Sequence, residues 1–246
     1  MTPENFPEIA SLPLAGRRIL VTAGPTQVPI DAVRFISNVS SGRTGVEIAR
    51  VAAAHGAEVT LLLGPGRLPV DSGALYRTID FVTFDDLHAA LRLHVGSRAY
   101  DALVHAAAVS DYRPVIEERG KIPSDDEELV LRLQRTPKLV DEVRVLDPEI
   151  LLIKFKLEVA KSEAQLLEIA RQSRATSDAD FLLANDLARM AGPIHPAYLI
   201  DRAGDVVAQM ETTAGLALRL CETLISSLQG RSRRRTPIPA SAGFDR

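Results

Sequence analysis

The sequence predicts an α/β fold: a doubly wound, mostly parallel sheet with an inserted β-ribbon. Three observations lead there. From Arg18 onward, short and nearly all-apolar runs alternate with helical patterns, as expected for parallel strands joined by crossover helices. Two polar, glycine-containing turns stand between the first strand and the first helix, where such folds hold anions. Between Asp111 and Thr136 the alternation is broken by a polar segment with a strand pattern of its own.

At 246 residues with 46% hydrophobic content, the chain can bury one sizeable core, and two full domains would be crowded. The expected division is an N-terminal extension over 1–17, one domain over 18–229 with an excursion at about 111–136, and a disordered basic tail over 230–246. In order, the pattern gives strand Arg18–Ala23, helix Thr44–Ala54, strand Glu58–Leu63, a strand near Tyr76–Phe81, helix Asp85–Val95 and strand Ala102–Ala106. Gly56 is placed to cap the first helix, and Val59–Leu63 is apolar enough for a strand covered on both faces. In the excursion, Leu129–Leu133 reads as a strand. Strand Leu151–Lys156, helix Ser162–Gln172 and strand Phe181–Ala184 then resume the sheet. Tyr198–Asp201 and Val206–Met210 form a hairpin around Arg202–Asp205, and a helix from Thr213 to Leu228 closes the domain.

Composition excludes several classes of function. A formal charge of −3 gives no global reason to bind nucleic acid, and the basic run Arg231–Arg235 reads as part of the tail. Cys221 is the single cysteine, so no intramolecular disulfide can form; it lies in an apolar helix pattern and reads as a core residue. Met1–Leu14 has acidic residues and three prolines but no uninterrupted apolar stretch, so it is not a signal peptide. No run approaches the roughly 18 apolar residues of a spanning helix, so a cytoplasmic protein without membrane contact is expected. Histidines at 55, 88, 94, 105 and 195 lack metal-site spacing.

The first turn, Thr22-Ala23-Gly24-Pro25-Thr26, has small residues that let backbone N–H groups approach an anion. The second, Asn38-Val39-Ser40-Ser41-Gly42, supplies one amide and two hydroxyls immediately before a helix N-terminus. Neither is a standard dinucleotide or P-loop fingerprint. Together with His105–Pro114, Gly120-Lys121-Ile122, Arg135–Leu139, Phe155–Glu158 and Ala184-Asn185-Asp186, their order and spacing resemble the phosphopantothenate–cysteine ligases over about Arg18 to Leu228.

That resemblance implies a Rossmann-like fold and an amide-forming ligase of coenzyme A synthesis. Its substrates would be 4′-phosphopantothenate, cysteine and ATP or CTP with Mg²⁺. The carboxylate would attack the α-phosphate, releasing pyrophosphate, and the cysteine amine would displace the nucleotide from the acyl nucleotide. It implies a homodimer formed through the inserted ribbon, which also brings a lysine loop to the site. Lys121 matches the catalytic lysine, although alone it reads as a solvated surface residue. Asn38 matches a residue that holds the acyl carbonyl and binds substrate, where the residues alone favour a cap. Gly24, Thr26, Ser40, Ser41 and Gly42 would contact phosphate. Ala107, Ala108 and Asp111 would line the nucleotide, with Phe155 and Asn185 near the base or the substrate. No protein metal ligands are expected. With about seventeen residues before the first strand, neither decarboxylation nor FMN is expected.

Departures bear on activity. Pro25 replaces a glycine and removes one N–H from the first turn. Lys121-Ile122-Pro123-Ser124 and Lys154–Glu158 look more like the stand-alone ATP-associated type than the fused CTP-associated type. The family's late lysine is replaced around Thr212 and Thr213. Two alternatives are a catalytically degenerate nucleotide-binding paralogue and a short-chain NAD(P)-dependent oxidoreductase. The second needs a lysine four residues after a tyrosine, and Tyr76, Tyr100, Tyr112 and Tyr198 all lack it.

Overall fold

The computed structural model describes residues 12–66, 75–117, 119–125 and 127–240. The chain runs β1 (Arg18–Ala23), β2 (Gln27–Pro29), β3 (Phe35–Ser37), α1 (Arg43–Ala54), β4 (Glu58–Leu63), β5 (Arg77–Asp80), α2 (Phe84–Gly96) and β6 (Ala102–His105). It continues through β7 (Tyr112–Pro114), β8 (Leu133–Arg135), α3 (Val143–Leu146), β9 (Leu151–Glu158), α4 (Glu163–Thr176) and β10 (Phe181–Asp186), ending with β11 (Ile194–Ile200), β12 (Val206–Thr212) and α5 (Thr213–Leu228). Among the described residues, no helix is long and apolar enough to cross a membrane.

Among the described residues, eight strands form one sheet in the order β12-β11-β10-β9-β6-β1-β4-β5. Pairing is parallel from β5 to β10 and antiparallel through the β11–β12 hairpin. From β1 the chain winds outward to β4 and β5, then returns to β6 on the other side. That reversal leaves a crevice at the carboxyl ends of β1 and β6, the position where doubly wound sheets bind ligands. Thr22 is level with His105 in the register, so both strands end at the crevice.

Alternate strand residues feed two faces. Ile19, Val21, Leu61, Val104 and Ile153 pack with Ile48 and Ala52 of α1 and Leu216, Leu220 and Leu224 of α5. Cys221 is buried in this core, where burial pushes its thiol up to about 11. Leu20, Leu62, Leu103 and Leu152 face Leu87 and Leu91 of α2 and Val143 of α3. Leu182, Ala184 and Ile200 cover Leu166 and Ala170 of α4. Local signals set the helix starts. Thr83 with Asp86, and Ser162 with Gln165, form reciprocal capping boxes. At α1 the helix approaches β1 so closely that a Cβ on Gly45 would lie 2.6 Å from the Ala23 Cβ.

Three expectations are corrected. The excursion's strand is not Leu129–Leu133 but β8, which pairs antiparallel with β7. Val130 is 79% exposed and Leu129 and Leu133 are about half exposed, so the apolar alternation of this segment lacks the burial that would make it a sheet strand. Gly230–Ala240 is irregular but docked, not a free tail. The Arg17 guanidinium donates to the carbonyls of Leu228 and Arg231, Arg18 donates to the carbonyl of Thr236, and Arg234 pairs with buried Asp147 at 3.3 Å. Carbonyls in this segment serve as acceptors for arginines at the lower edge of the sheet, a role composition does not reveal. Finally, the folded part starts before Arg18, because Leu14 is fully buried in the α1 face of the core. Residues 1–11 and 241–246 of the two expected terminal segments lie outside the described residues.

Candidate nucleotide site at the sheet crevice

Beyond their strand ends, β1 and β6 continue in step. Ala108 N–H donates to the Gly24 carbonyl at 2.9 Å, and Thr26 N–H donates to the Ala108 carbonyl at 3.2 Å. Gly24 has φ +81°, and a Cβ there would lie 2.8 Å from the Gly64 carbonyl oxygen, so the turn requires glycine twice over. Pro25 lies opposite Ala108 in this ladder. Its nitrogen points away from the Ala108 side, so the proline removes none of these bonds.

Thr26 must be corrected as a phosphate contact. It is fully buried, its hydroxyl donates to Ser110 Oγ at 3.0 Å, and it accepts from Ser110 N–H at 2.9 Å. It clasps the first turn to the segment after β6 and presents no free side-chain polar atom to a ligand.

The second turn closes over the first. Asn38 Nδ2 donates to the carbonyls of Val109 and Ala108 at 3.1 and 3.3 Å. Asn38 is therefore not a helix cap; Gly42 holds that position with φ 76° and gives α1 no side-chain cap. Ser40 Oγ and Ser41 Oγ accept long bonds of 3.3 Å from the N–H groups of Gly42 and Arg43. Amides so weakly held, at a helix start with no acidic residue in its first turn, suit an anion. Gly42 also packs onto the first turn, where a Cβ would lie 3.1 Å from the Gly24 nitrogen. Gly24, Asn38, Ser40, Ser41, Gly42, Ala107 and Ala108 thus share one crevice.

The remaining residues border it. Ala107 N–H donates to Thr22 Oγ1, whose hydroxyl faces Nδ1 of buried His105 at 3.0 Å. Asp111 is exposed beside β7 and ion-paired with Lys138. Phe155 is half-buried on β9 and packs against the α1 face of the core, so its bulk serves packing first. Asn185, at the end of β10, donates to Nε2 of His195 at 3.1 Å, and His195 Nδ1 lies 3.5 Å from Thr44 Oγ1 of α1. Burial lowers the His195 pKa, favouring the neutral ring that can accept at Nε2. Lys121 is not brought into the crevice: it sits on an exposed loop fastened to the β2–β3 hairpin, without an ion pair among the described residues. Where the late lysine was expected, Thr212 caps α5 by accepting from Gly215 N–H.

Sequence reasoning missed His195, Lys138 and Asp186 as parts of this rim. Lys138 and Asp186 lay within quoted motifs, whereas nothing local marks His195. Asp186 accepts from the N–H groups of Lys161, Ala188 and Ala160, and these donors hold its carboxyl below the ordinary value, tying the loops after β9 and β10 together.

Residues 14–227 match the family model described as the DNA/pantothenate metabolism flavoprotein C-terminal domain. The coenzyme A biosynthesis bifunctional protein CoaBC of Thermococcus kodakarensis is 38% identical over 77% of this chain and 46% of its own length. CoaBC of Escherichia coli K12 is 32% identical over 88% of this chain and 53% of its own; the chain spans about half the length of these curated relatives. Among solved structures, the DNA/pantothenate metabolism flavoprotein from Streptococcus pneumoniae aligns with TM-score 0.79 and 31% identity, covering 86% of this chain and 99% of that one. The match covers the crevice turns, the ribbon and the closing hairpin alike, and by it the chain belongs to the DNA/pantothenate metabolism flavoprotein C-terminal domain family, in agreement with its resemblance to phosphopantothenate–cysteine ligases.

Proposed function

We propose that the chain is a phosphopantothenate–cysteine ligase that uses ATP or CTP. The observation that carries this reading is the crevice itself: two glycine turns, the start of α1 and the Asn38 amide converge where β1 and β6 end. The triphosphate would lie against Ser40–Gly42 and the α1 amides, with Mg²⁺ entering on the nucleotide, as small hard cations commonly do. The 4′-phosphopantothenate carboxylate attacks the α-phosphorus, forming a C–O–P linkage and expelling pyrophosphate. The cysteine amine then attacks the acyl carbon, the nucleoside monophosphate leaves, and the amine proton passes to solvent. Asn38 orients the acyl carbonyl for the second step. Most of the catalysis is positioning and charge stabilisation.

Pyrophosphate release with phosphopantothenate, cysteine and Mg²⁺, compared between CTP and ATP, tests the reading. Release is expected with at least one nucleotide and only when phosphopantothenate is present. In Asn38→Asp the same assay should give a first burst but slowed formation of the amide, because the Asn38 amide would turn from the Ala108 and Val109 carbonyls to the acyl oxygen, and a carboxylate can donate to neither. Amide formation at the wild-type rate would remove Asn38 from that role. Absence of pyrophosphate with both nucleotides would favour a nucleotide-binding protein without catalysis.

The same proposal includes a homodimer. Val33 and Phe35 on the β2–β3 hairpin, and Tyr112, Ile116 and Val130 on the excursion, are each half or more exposed, apolar side chains that a second copy would cover. Sedimentation equilibrium should give twice the mass of 26.7 kDa; a monomer at micromolar concentration would refute this assembly.

A further inference from the structure

The lysine loop is bonded on both sides of Lys121 to one turn, and we propose that Asp31 is a positioning residue that holds Lys121 in register with Asn38. This inference rests on the ligase reading above. At the tip of the β2–β3 hairpin, Asp31 Oδ1 accepts from the N–H groups of Val33 and Arg34 at 2.9 and 2.8 Å, closing the turn. Its second oxygen is directed elsewhere. Oδ2 accepts from the N–H of Ile122 at 3.1 Å, from 91 residues away in sequence, and faces Arg34 Nε at 3.3 Å.

Arg34 completes the clamp by donating from Nη2 to the Ile122 carbonyl at 2.7 Å, while Ala32 N–H donates to the Gly120 carbonyl at 3.2 Å. The residues before and after Lys121 are therefore both fixed, and its exposed side chain alone is left to move. Asp31 is 5% exposed on a hairpin tip whose neighbours Ala32 and Val33 are exposed. Burial acts to raise its carboxyl, but the N–H groups of Val33, Ile122 and Arg34 and the Arg34 guanidinium together hold it below the ordinary value. Closing the turn needs only one acceptor oxygen, which asparagine would also supply. The second acceptor pairs with Arg34 and also takes the Ile122 N–H, the one of its bonds that leaves the hairpin and serves the loop. From this turn β3 runs directly to Asn38, so one carboxylate joins the loop of one catalytic candidate to the strand that ends at the other.

Asp31→Asn separates the two uses, since its amide keeps Oδ1 but places a donor against the Ile122 N–H. The expected result is a roughly tenfold fall in kcat for pyrophosphate release, with KM for nucleotide within about twofold, because misplacing a catalytic group costs turnover before binding. Amide hydrogen exchange over 119–123 should accelerate while the sheet exchanges as in wild type. In a Lys121→Ala background, Asp31→Asn should change kcat by less than about twofold, since it acts through that lysine. Multiplicative losses in the double variant, or unchanged exchange over 119–123, would overturn the proposal. Ile122→Pro deletes the N–H donor while Asp31 still closes the hairpin turn, and it should reproduce both effects; failure to do so would mean that Asp31→Asn acts through the hairpin and would overturn the tether. Exchange needs no turnover, so a wild-type protein that releases no pyrophosphate refutes the ligase reading while the tether is still tested.

Discussion

Lys121→Ala is expected to lower turnover by roughly 10²- to 10³-fold, the scale for losing one preorganised electrostatic stabiliser. At 1.36 kcal/mol per decade this corresponds to about 3–4 kcal/mol of transition-state stabilisation. In the proposed mechanism, negative charge builds on the α-phosphate oxygens as the carboxylate attacks. Lys121 lies outside the crevice with both neighbours clamped, so its exposed side chain would have to swing toward the α-phosphate to meet that charge, without rearrangement of the sheet. The Lys121 side chain is exposed and makes no ion pair among the described residues, so truncating it leaves no buried partner unsatisfied. Folding stability should change by less than about 0.5 kcal/mol, as for other surface substitutions. The loss should therefore fall on kcat, with the KM for phosphopantothenate little changed. Lys121→Arg should recover only part of the rate, because a planar guanidinium on a longer arm places its charge differently. Wild-type kcat in Lys121→Ala would remove the residue from the mechanism.

Regular elements of the fold were legible because their signals are local and periodic. Helix α5 begins and ends where the Leu216, Leu220, Leu224 stripe places it, and β1 and β4 match their apolar runs to the residue. The β2–β3 hairpin left no such trace: two three-residue strands are shorter than any periodicity, and their pairing depends on a turn chemistry shared with Ile122, far away in sequence. The same limit explains Thr26. A threonine after a glycine turn reads as a ligand contact until its partner Ser110 is seen. Of the site, the motifs gave the two turns and the alanine strand end. They did not give the supporting bonds from Asp31, His105 and His195, which arise only when distant segments meet. Ser40 and Ser41 accept local bonds from the N–H groups of Gly42 and Arg43, and under the proposed function a phosphate would compete for those same amides.

Acidification from pH 7.5 to 5 is expected to remove about 4 kcal/mol of folding stability, roughly 2 kcal/mol from each of two buried histidines. Burial pushes His94 down to about 4, assisted by the charge of Arg77, and pushes His105 down to about 4, assisted by the charge of Lys154. His94 Nδ1 lies 3.0 Å from the Tyr100 hydroxyl, which in turn donates to Thr60 Oγ1, so the neutral ring is the donor in a buried chain. At His105, the ammonium of Lys154 is fixed by the Ser177 hydroxyl and the Ser173 carbonyl. A proton on His105 would set two buried cations on paired positions of β6 and β9.

Both rings titrate near 6.5 once unfolded. Between pH 6.5 and about 4 the unfolded chain therefore binds more protons than the native one, and stability falls as pH falls through that window. His195, lowered by burial, acts in the same direction, and the depressed carboxyls of Asp31 and Asp186 extend the loss below pH 4. Against a total of about 5–15 kcal/mol for an ordinary domain, this loss is large enough to shift the urea midpoint plainly. Urea unfolding at pH 7.5, 6 and 5 measures it. His105→Gln should remove about half of the slope, since a neutral amide can accept from Thr22 and does not titrate. A stability change below about 1 kcal/mol over this range would mean that the two rings are not held neutral in the native sheet.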